Sequence, residues 1–233
     1  MSGFEPVSAR DRNIYLMRTG NTEVYAVMTG IGMRSVRSNL QNLFAGSVDL
    51  CIASGLAGGL RKQYPAGSIL VAKAVTSGPD QAINSDKSLV QRANECGAAV
   101  VDFFFTSGVV MNSQTEKARI GEIAGAVEME SFQIFRQASE YSVPVVAVRA
   151  ISDSVDTTLP VDLNRIIDRR GQIGWPLALY EIAKTPTRLP QLVRFALESA
   201  RAARNLAYFL DRYVKSFTGD ADLQFIAAQI GAK

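Results

Sequence analysis

Three short segments carry residues of the types and spacing that could perform chemistry. In Val127-Glu-Met-Glu-Ser131, Glu128 and Glu130 flank Met129 where an apolar run gives way to a helical pattern. A carboxylate can accept two hydrogen bonds at once, which suits a vicinal diol such as a ribose; an acid at a helix start is also favoured by the helix dipole, with no ligand involved. In Val148-Arg-Ala-Ile-Ser-Asp153, Asp153 closes an apolar strand beside Ser152, placed either to act as an acid or to cap the next segment. In Ser54-Gly-Leu-Ala-Gly-Gly-Leu60, Gly55, Gly58 and Gly59 would let the backbone turn tightly and come close to a ligand, or simply turn. This segment has neither the Gly-Lys-Ser/Thr ending of a P-loop nor the G-x-G-x-x-G spacing of a dinucleotide site.

The carboxylates matter more because of what is missing. Among 233 residues there are 25 Lys and Arg, 22 Asp and Glu, and no histidine. That removes Ser-His-Asp and Cys-His nucleophile systems, histidine relays and histidine metal ligands, so acid–base work falls to carboxylates, lysine or tyrosine. Cys51 and Cys96 stand alone, without C-x-x-C spacing or a disulfide framework, which fits a reducing, cytoplasmic setting. The start, MSGFEPVSAR, lacks an apolar h-region, and Asp102 and Arg149 interrupt the most apolar runs. A soluble protein without a signal peptide is the expectation.

These segments need elements to position them. Asn13 to Met17 and Glu23 to Met28 read as strands joined by the turn-like Thr19-Gly20-Asn21-Thr22, and a helix is predicted from about Met33 to Ala45. Asp49 to Ser54 has the continuous apolar character of a buried parallel strand whose exit is Ser54 to Leu60. Strands then alternate with helices: strand Ser68 to Val75, helix Asp86 to Glu95, strand Ala98 to Phe105, helix Ser113 to Gly121, strand around Ala126, helix Ser131 to Tyr141, strand Pro144 to Ile151. This order implies an α/β layered domain with a mainly parallel sheet, and the composition, 47% hydrophobic and 20% charged, fits one domain over 1–233. The three segments fall at strand ends, where open α/β sheets bind ligands.

From Thr157 to Lys233 the spacing is helical throughout. Leu189, Leu192, Val193, Ala196, Leu197, Ala200, Ala203, Leu206, Ala207, Leu210 and Tyr213 recur at three- and four-residue steps, an apolar stripe expected to pack. Between Lys184 and Lys215 seven basic residues face two acidic ones, a local charge of +5 that leaves the rest of the chain at −2. The net charge of +3 is too small to argue for nucleic acid. The helical region 186–215 is either a solvated outer face or a peripheral contact with an anionic membrane.

Taken together, Thr29-Gly-Ile-Gly32, Ser54-Gly-Leu-Ala-Gly-Gly-Leu60, Val127-Glu-Met-Glu-Ser131 and Val148-Arg-Ala-Ile-Ser-Asp153 resemble the purine nucleoside phosphorylase and nucleosidase superfamily on its methylthioadenosine/adenosylhomocysteine nucleosidase side. The tail, with Leu159-Pro160, Gly171, Pro186, Leu189-Pro190 and an alanine-rich basic helix, is similar to the branch of hopanoid-associated phosphorylases. The resemblance implies a three-layer α/β/α fold around a mixed, partly barrelled sheet with a helical C-terminal extension. It implies cleavage of an N-glycosidic bond through an oxocarbenium-like sugar, without cofactor or metal. By the same resemblance, Glu130 holds the ribose 2′ and 3′ hydroxyls and Met129 packs on the sugar, with Glu128 beside them. Asp153, helped by Ser152 and given a raised pKa by burial, protonates the purine at N7. Gly55, Leu56, Ala57 and Gly58 lie along base and sugar, and Met111 faces the purine. A homo-oligomer is also implied.

Departures from the family pattern refine this expectation. The arginine that holds phosphate in the phosphorylases is Ala53 here, and the hydroxyl residue that often follows the glycine is Leu56, so water is the expected nucleophile. The residue expected to activate that water is Glu5, matched across a one-residue gap, in a chain that begins too late to contain the whole first strand; without the gap the position is Val7. The aromatic expected beside the purine is Val110. The reading is therefore a nucleosidase for an adenine nucleoside with an apolar 5′ substituent, such as methylthioadenosine, adenosylhomocysteine or an adenosylhopane-like compound. A phosphate-dependent phosphorylase and a non-catalytic nucleoside-binding protein are the alternatives.

Overall fold

A computed structural model describes residues 4–7, 13–19, 22–30, 40–41, 43–46, 48–157, 180, 187, 189–217 and 224–229. Its ten strands are β1 (Glu5–Pro6), β2 (Ile14–Thr19), β3 (Thr22–Met28), β4 (Leu50–Gly59), β5 (Ile69–Gly78), β6 (Gln81–Asn84), β7 (Ala99–Thr106), β8 (Ala126–Glu128), β9 (Val145–Asp153) and β10 (Gln224–Gln229). Four helices complete the described elements: α1 (Lys87–Glu95), α2 (Gln114–Gly121), α3 (Ser131–Glu140) and α4 (Leu189–Lys215).

The strands form one mixed sheet. β4 pairs with β9 in parallel, β9 with β5 antiparallel, β5 with β7 in parallel, β7 with β8 in parallel, and β8 returns to β4 antiparallel at Gly58 and Gly59. These five strands close on themselves as a small barrel. β4 is long enough to serve two neighbours along one edge, pairing β10 through Leu50–Ser54 and β8 only at its far end. From β10 the sheet continues outward through β3, β2 and β1.

Period-two alternation along the strands divides the core into two layers. Cys51, Ala53 and Ala57 of β4 meet Phe132, Ile134, Phe135 and Ala138 of α3, together with Leu40 and Phe44. Leu50 and Ile52 of the same strand meet Leu89, Val90 and Ala93 of α1 and Ala202, Leu206, Phe209, Leu210, Tyr213 and Val214 of α4. Helices thus cover both faces, and the α/β/α layering is present. Each large apolar side chain buried in this way contributes roughly 1.5–3 kcal/mol. Tyr213, fully buried, satisfies its hydroxyl by donating to Leu89 O at 2.8 Å.

The sequence-predicted elements recur, with β1 and β6 added and with antiparallel pairings as frequent as parallel ones where the strand–helix alternation implies a mainly parallel sheet. The glycine-rich Ser54 to Gly59 is part of β4 rather than a loop after it, because its backbone continues to pair with β9 and then β8, with a register shift between Ala57 and Gly58. The C-terminal part is not helical throughout: β10 inserts in parallel between β3 and β4. The stripe expected to pack along α4 does so only in part: Leu189, Val193, Ala196, Leu197, Ala200 and Ala203 are exposed, and the buried stripe is Ala202, Leu206, Phe209, Leu210, Tyr213 and Val214. Of the predicted helix Met33 to Ala45, residues 33–39 and 42 lie outside the described residues, while Leu40, Gln41, Leu43 and Phe44 are helical. Ile31-Gly32, Leu159-Pro160, Gly171 and Pro186 also lie outside them. No helix among the described residues is long and apolar enough to cross a membrane.

Candidate active site

Three of the sequence segments converge on Gly58. On one edge of β4 this residue pairs with Asp153 of β9, and on the other with Val127 of β8, the residue before Glu128. A Cβ placed on Gly58 would lie 3.4 Å from Asp153 Oδ2 and 3.3 Å from Val127 Cγ1. At Gly59 it would meet Asp153 O and Ile151 Cγ2 at 3.1 Å and Tyr64 O at 3.3 Å. Gly59 thus admits the Asp153 and Tyr64 carbonyls close to β4, Gly58 leaves a little room beside Val127 and Asp153, and neither has the positive φ of a turn.

Asp153 is 6% exposed, and both its oxygens have partners. Lys117 Nζ donates to Oδ2 at 2.8 Å, and Ser152 Oγ lies 2.8 Å from Oδ1 and 3.2 Å from Ala57 O, with one proton to donate between them. Lys117 itself is 1% exposed and reaches inward from α2 to this carboxylate and, at 3.5 Å, to Thr157 O. The Ser113 side chain caps α2 by accepting from Glu116 N, and Lys117 lies one turn along the helix on the same face as buried Ile120. That helix begins just after Met111, which packs partly buried against Leu60, Ile120, Ala124 and Val127.

Glu128 is a different case. Its side chain is fully buried, Oε1 accepts from Thr106 Oγ1, and Oε2 accepts from Arg149 Nη2 at 2.6 Å, Ser131 N at 2.8 Å and Glu130 N at 3.0 Å. Arg149 Nη2 also donates to Ser131 Oγ at 2.7 Å. Burial alone would raise the Glu128 pKa, but the Arg149 charge and the hydrogen bonds from Thr106, Arg149 and Ser131 outweigh it and hold the carboxyl below its ordinary value. The Glu128 oxygens, expected at the substrate, are engaged internally, joining β7, β8, β9 and the first turn of α3. Glu130 occupies the N-cap position of α3, where its carboxylate does not cap the helix; Oε2 accepts instead from Met129 N at 3.2 Å. Glu130 is buried and Met129 half-buried.

Leu56 packs its side chain with the apolar cluster beneath α1 and α4, whereas Ala57 belongs to the cluster on the opposite face with Ile151. Glu5 is exposed on β1, the edge of the sheet, with β2, β3 and β10 between it and β4. At about 4.8 Å per strand, that is roughly 19 Å from β4. The structure brings Asp153, Ser152, Ala57, Gly58, Met129, Glu130 and Met111 into the barrel-end region and leaves Glu5 outside it. Gly55 is buried within β4.

Lys117 and Arg149 are the residues that sequence reasoning missed. Arg149 left a signal as a charged residue inside the otherwise apolar Val145 to Ile151. Lys117 left a fainter one, a lysine on the buried stripe of its helix four residues after Ser113 and three before Ile120. Beyond Asp153 the strand exit opens to a cleft of about 380 Å³ walled by Ser154, Asp156 and Thr157 and, from α4, by Gln191, Arg194, Phe195 and Glu198. No group of three or more His, Cys, Asp or Glu side chains gathers as a metal site among the described residues.

The sequence profile of the phosphorylase superfamily matches residues 3–171. The chain belongs to the phosphorylase superfamily, and with it to the enzymes that cleave glycosidic bonds. Solved structures of similar fold include the 5′-methylthioadenosine/S-adenosylhomocysteine nucleosidase of Neisseria meningitidis in complex with methylthio-immucillin-A. It is 21% identical, covers 93% of this chain and 91% of its own, and has a TM-score of 0.67. The futalosine hydrolase of Helicobacter pylori is 20% identical over 92% of this chain and 88% of its own, with a TM-score of 0.66. The 5′-methylthioadenosine/S-adenosylhomocysteine nucleosidase of Campylobacter jejuni is 17% identical over 91% and 90%, with a TM-score of 0.64. No curated relative matches the chain.

Proposed function

We propose that this superfamily member is a nucleosidase that cleaves the N-glycosidic bond of an adenine nucleoside carrying an apolar 5′ substituent. The observation that carries the reading is the meeting at Gly58 of the Asp153 strand end and the Glu128–Glu130 turn, which puts an acid for the base and a carboxylate for the sugar beside one another. In this reading Glu130 holds the ribose hydroxyls and Met129 packs on the sugar. Glu128, tied to Arg149, fixes the turn that presents them.

Departure of adenine requires a proton at N7, and Asp153 delivers it. In the ion pair that proton starts on Lys117 Nζ, 2.8 Å from Oδ2, and crosses to Asp153 as Asp153 protonates N7, leaving a neutral amine beside the carboxylate whose plane Ser152 fixes. Lys117 is thus the proton reservoir behind Asp153. The proton passes from the Lys117–Asp153 pair to N7, water adds its oxygen to C1′, and the proton that water releases leaves through solvent, from which the pair is recharged. The sum is nucleoside plus water giving adenine plus sugar.

Water is favoured over phosphate by the fate of the buried cations. Ala53, at the position of the phosphate-holding arginine in the phosphorylases, is completely buried in the core, and the fully buried Lys117 and Arg149 are each neutralised by a carboxylate. Neither cation is available for a dianion. A 5′-methylthio group suits the reading because nucleosidases named for methylthioadenosine share this fold. The test is release of free adenine from methylthioadenosine, adenosylhomocysteine and a lipid-linked adenosine in phosphate-free buffer. Cleavage that occurred only with phosphate and yielded ribose 1-phosphate would overturn the hydrolytic reading.

A further inference from the structure

Helix α4 has two unlike halves. From Ala202 onward it buries Ala202, Leu206, Phe209, Leu210, Tyr213 and Val214 on the sheet. From Leu189 to Arg201 no residue is fully buried, although this half contains Leu189, Leu192, Val193, Phe195, Ala196 and Leu197. The exposed large apolar side chains are Leu189, Val193, Leu197 and Tyr208, at 51%, 52%, 66% and 74% exposure. At about 100° per residue these four fall within roughly 100° of the helix circumference, on one face. A row of exposed leucine, valine and tyrosine on an outward helix marks a contact surface rather than ordinary solvated surface.

The charges beside this row decide what it contacts. Arg194, Arg201, Arg204, Arg212 and Lys215 are exposed along the same side, with Glu198 and Asp211 the acidic residues of the helix. Glu198 accepts from Arg194 at 2.9 Å and Asp211 from Lys215 at 2.8 Å, so both acids are already engaged. Arg201, Arg204 and Arg212 pair with no acid among the described residues. A second copy presenting the same face would set these arginines against their equivalents, a repulsion that closing the interface would strengthen. An anionic lipid surface attracts all of them and receives the apolar row at its headgroup boundary, as expected of an interfacial amphipathic helix.

We infer that the outer face of α4 docks on an anionic lipid surface, with Leu189, Val193, Leu197 and Tyr208 inserted and the arginines on the headgroup phosphates. The helix lies in the surface plane. Gln191, Arg194, Phe195 and Glu198 wall the cleft beyond Asp153, so docking sets the cleft mouth beside the lipid. The inference does not depend on the nucleosidase reading and is tested without any nucleoside.

The experiment is co-sedimentation of the full chain with vesicles of phosphatidylglycerol and phosphatidylcholine, against pure phosphatidylcholine vesicles as control. The chain is expected to sediment with the anionic vesicles and to be released by salt. Each neutralised cation lowers partitioning about fivefold, so Arg201→Gln/Arg204→Gln weakens it roughly 25-fold. Val193→Ser/Leu197→Ser is expected to weaken it too, at an unchanged melting temperature, since neither side chain contacts the core. No binding to anionic vesicles, or equal binding to neutral ones, would overturn the inference. So would a dimer in sedimentation velocity that Val193→Ser/Leu197→Ser dissociates, because the face would then belong to a second copy.

Discussion

Lys117→Met tests the centre of the site. The substitution keeps an unbranched apolar stem of similar length and removes one charge of a pair whose side chains are 2% and 8% exposed, with Nζ and Oδ2 2.8 Å apart. Losing one partner of such a pair costs about 3–5 kcal/mol, because the remaining carboxylate keeps its desolvation cost without its counter-charge. In a chain of this size each kcal/mol lowers the melting temperature by about 2–4 °C, so Lys117→Met is expected to melt roughly 6–20 °C below the parent. Removing both charges is different: a buried pair replaced by neutral groups of similar volume is often neutral or stabilising. Lys117→Met/Asp153→Asn should therefore recover most of the lost stability. It should not recover activity, since both members of the proposed proton-donating pair are gone and general acid catalysis is worth about 10²–10⁴-fold. Thermal melting and adenine release read the two effects separately. A Lys117→Met protein that melts with the parent would refute the buried pair, and a stable double variant that releases adenine at the parent rate would remove Asp153 from the mechanism.

Other expectations follow from the same geometry. The Glu128 carboxyl is held below its ordinary value in the folded state, so its contribution to stability is fully present above the unfolded value of about 4.3 and is lost as pH falls through the lower folded value. Acid unfolding curves of the parent and Glu128→Gln should converge at low pH, and a constant separation at every pH would show that the ionised form is not what stabilises. Gly59→Ala places a methyl group 3.1 Å from Asp153 O and Ile151 Cγ2, so adenine release should fall at least tenfold with the protein still folded by circular dichroism. Asp86 accepts from Ser88 N at 2.9 Å and Leu89 N at 3.1 Å at the start of α1; Asp86→Ala should cost about 1 kcal/mol in chemical denaturation while leaving cleavage unchanged.

Much of the scaffold was legible because its signals are local. The alternation of apolar strands with helices from Asp49 to Ile151 needs only neighbouring residues, and Asp86 and Ser113 cap α1 and α2 where the sequence places those helix starts. The tail was less legible. The periodic stripe from Leu189 to Tyr213 correctly predicts a helix, yet periodicity says which residues share a face and not which face meets the core. β10 resisted reading for a related reason, since its strand conformation comes from pairing with β3 and β4, about 200 and 175 residues earlier in the chain.

For the site, the absence of histidine was decisive by itself: acid–base work had to rest on carboxylates, lysine or tyrosine, and the sequence alone singled out Glu128, Glu130 and Asp153. The difference in their surroundings is a tertiary property. Glu128 and Glu130 are two residues apart and chemically identical, and only the approach of Arg149 from β9 and Thr106 from β7 takes Glu128 into the frame of the protein. Likewise, nothing near Asp153 in sequence announces Lys117, which lies 36 residues away and is brought to 2.8 Å by α2. The reverse holds for Glu5, whose residue type suits a base but whose place on the outer strand of the sheet keeps it from the barrel end. Residue type determines what chemistry is available; closure of five strands into a barrel determines which of those groups share a site.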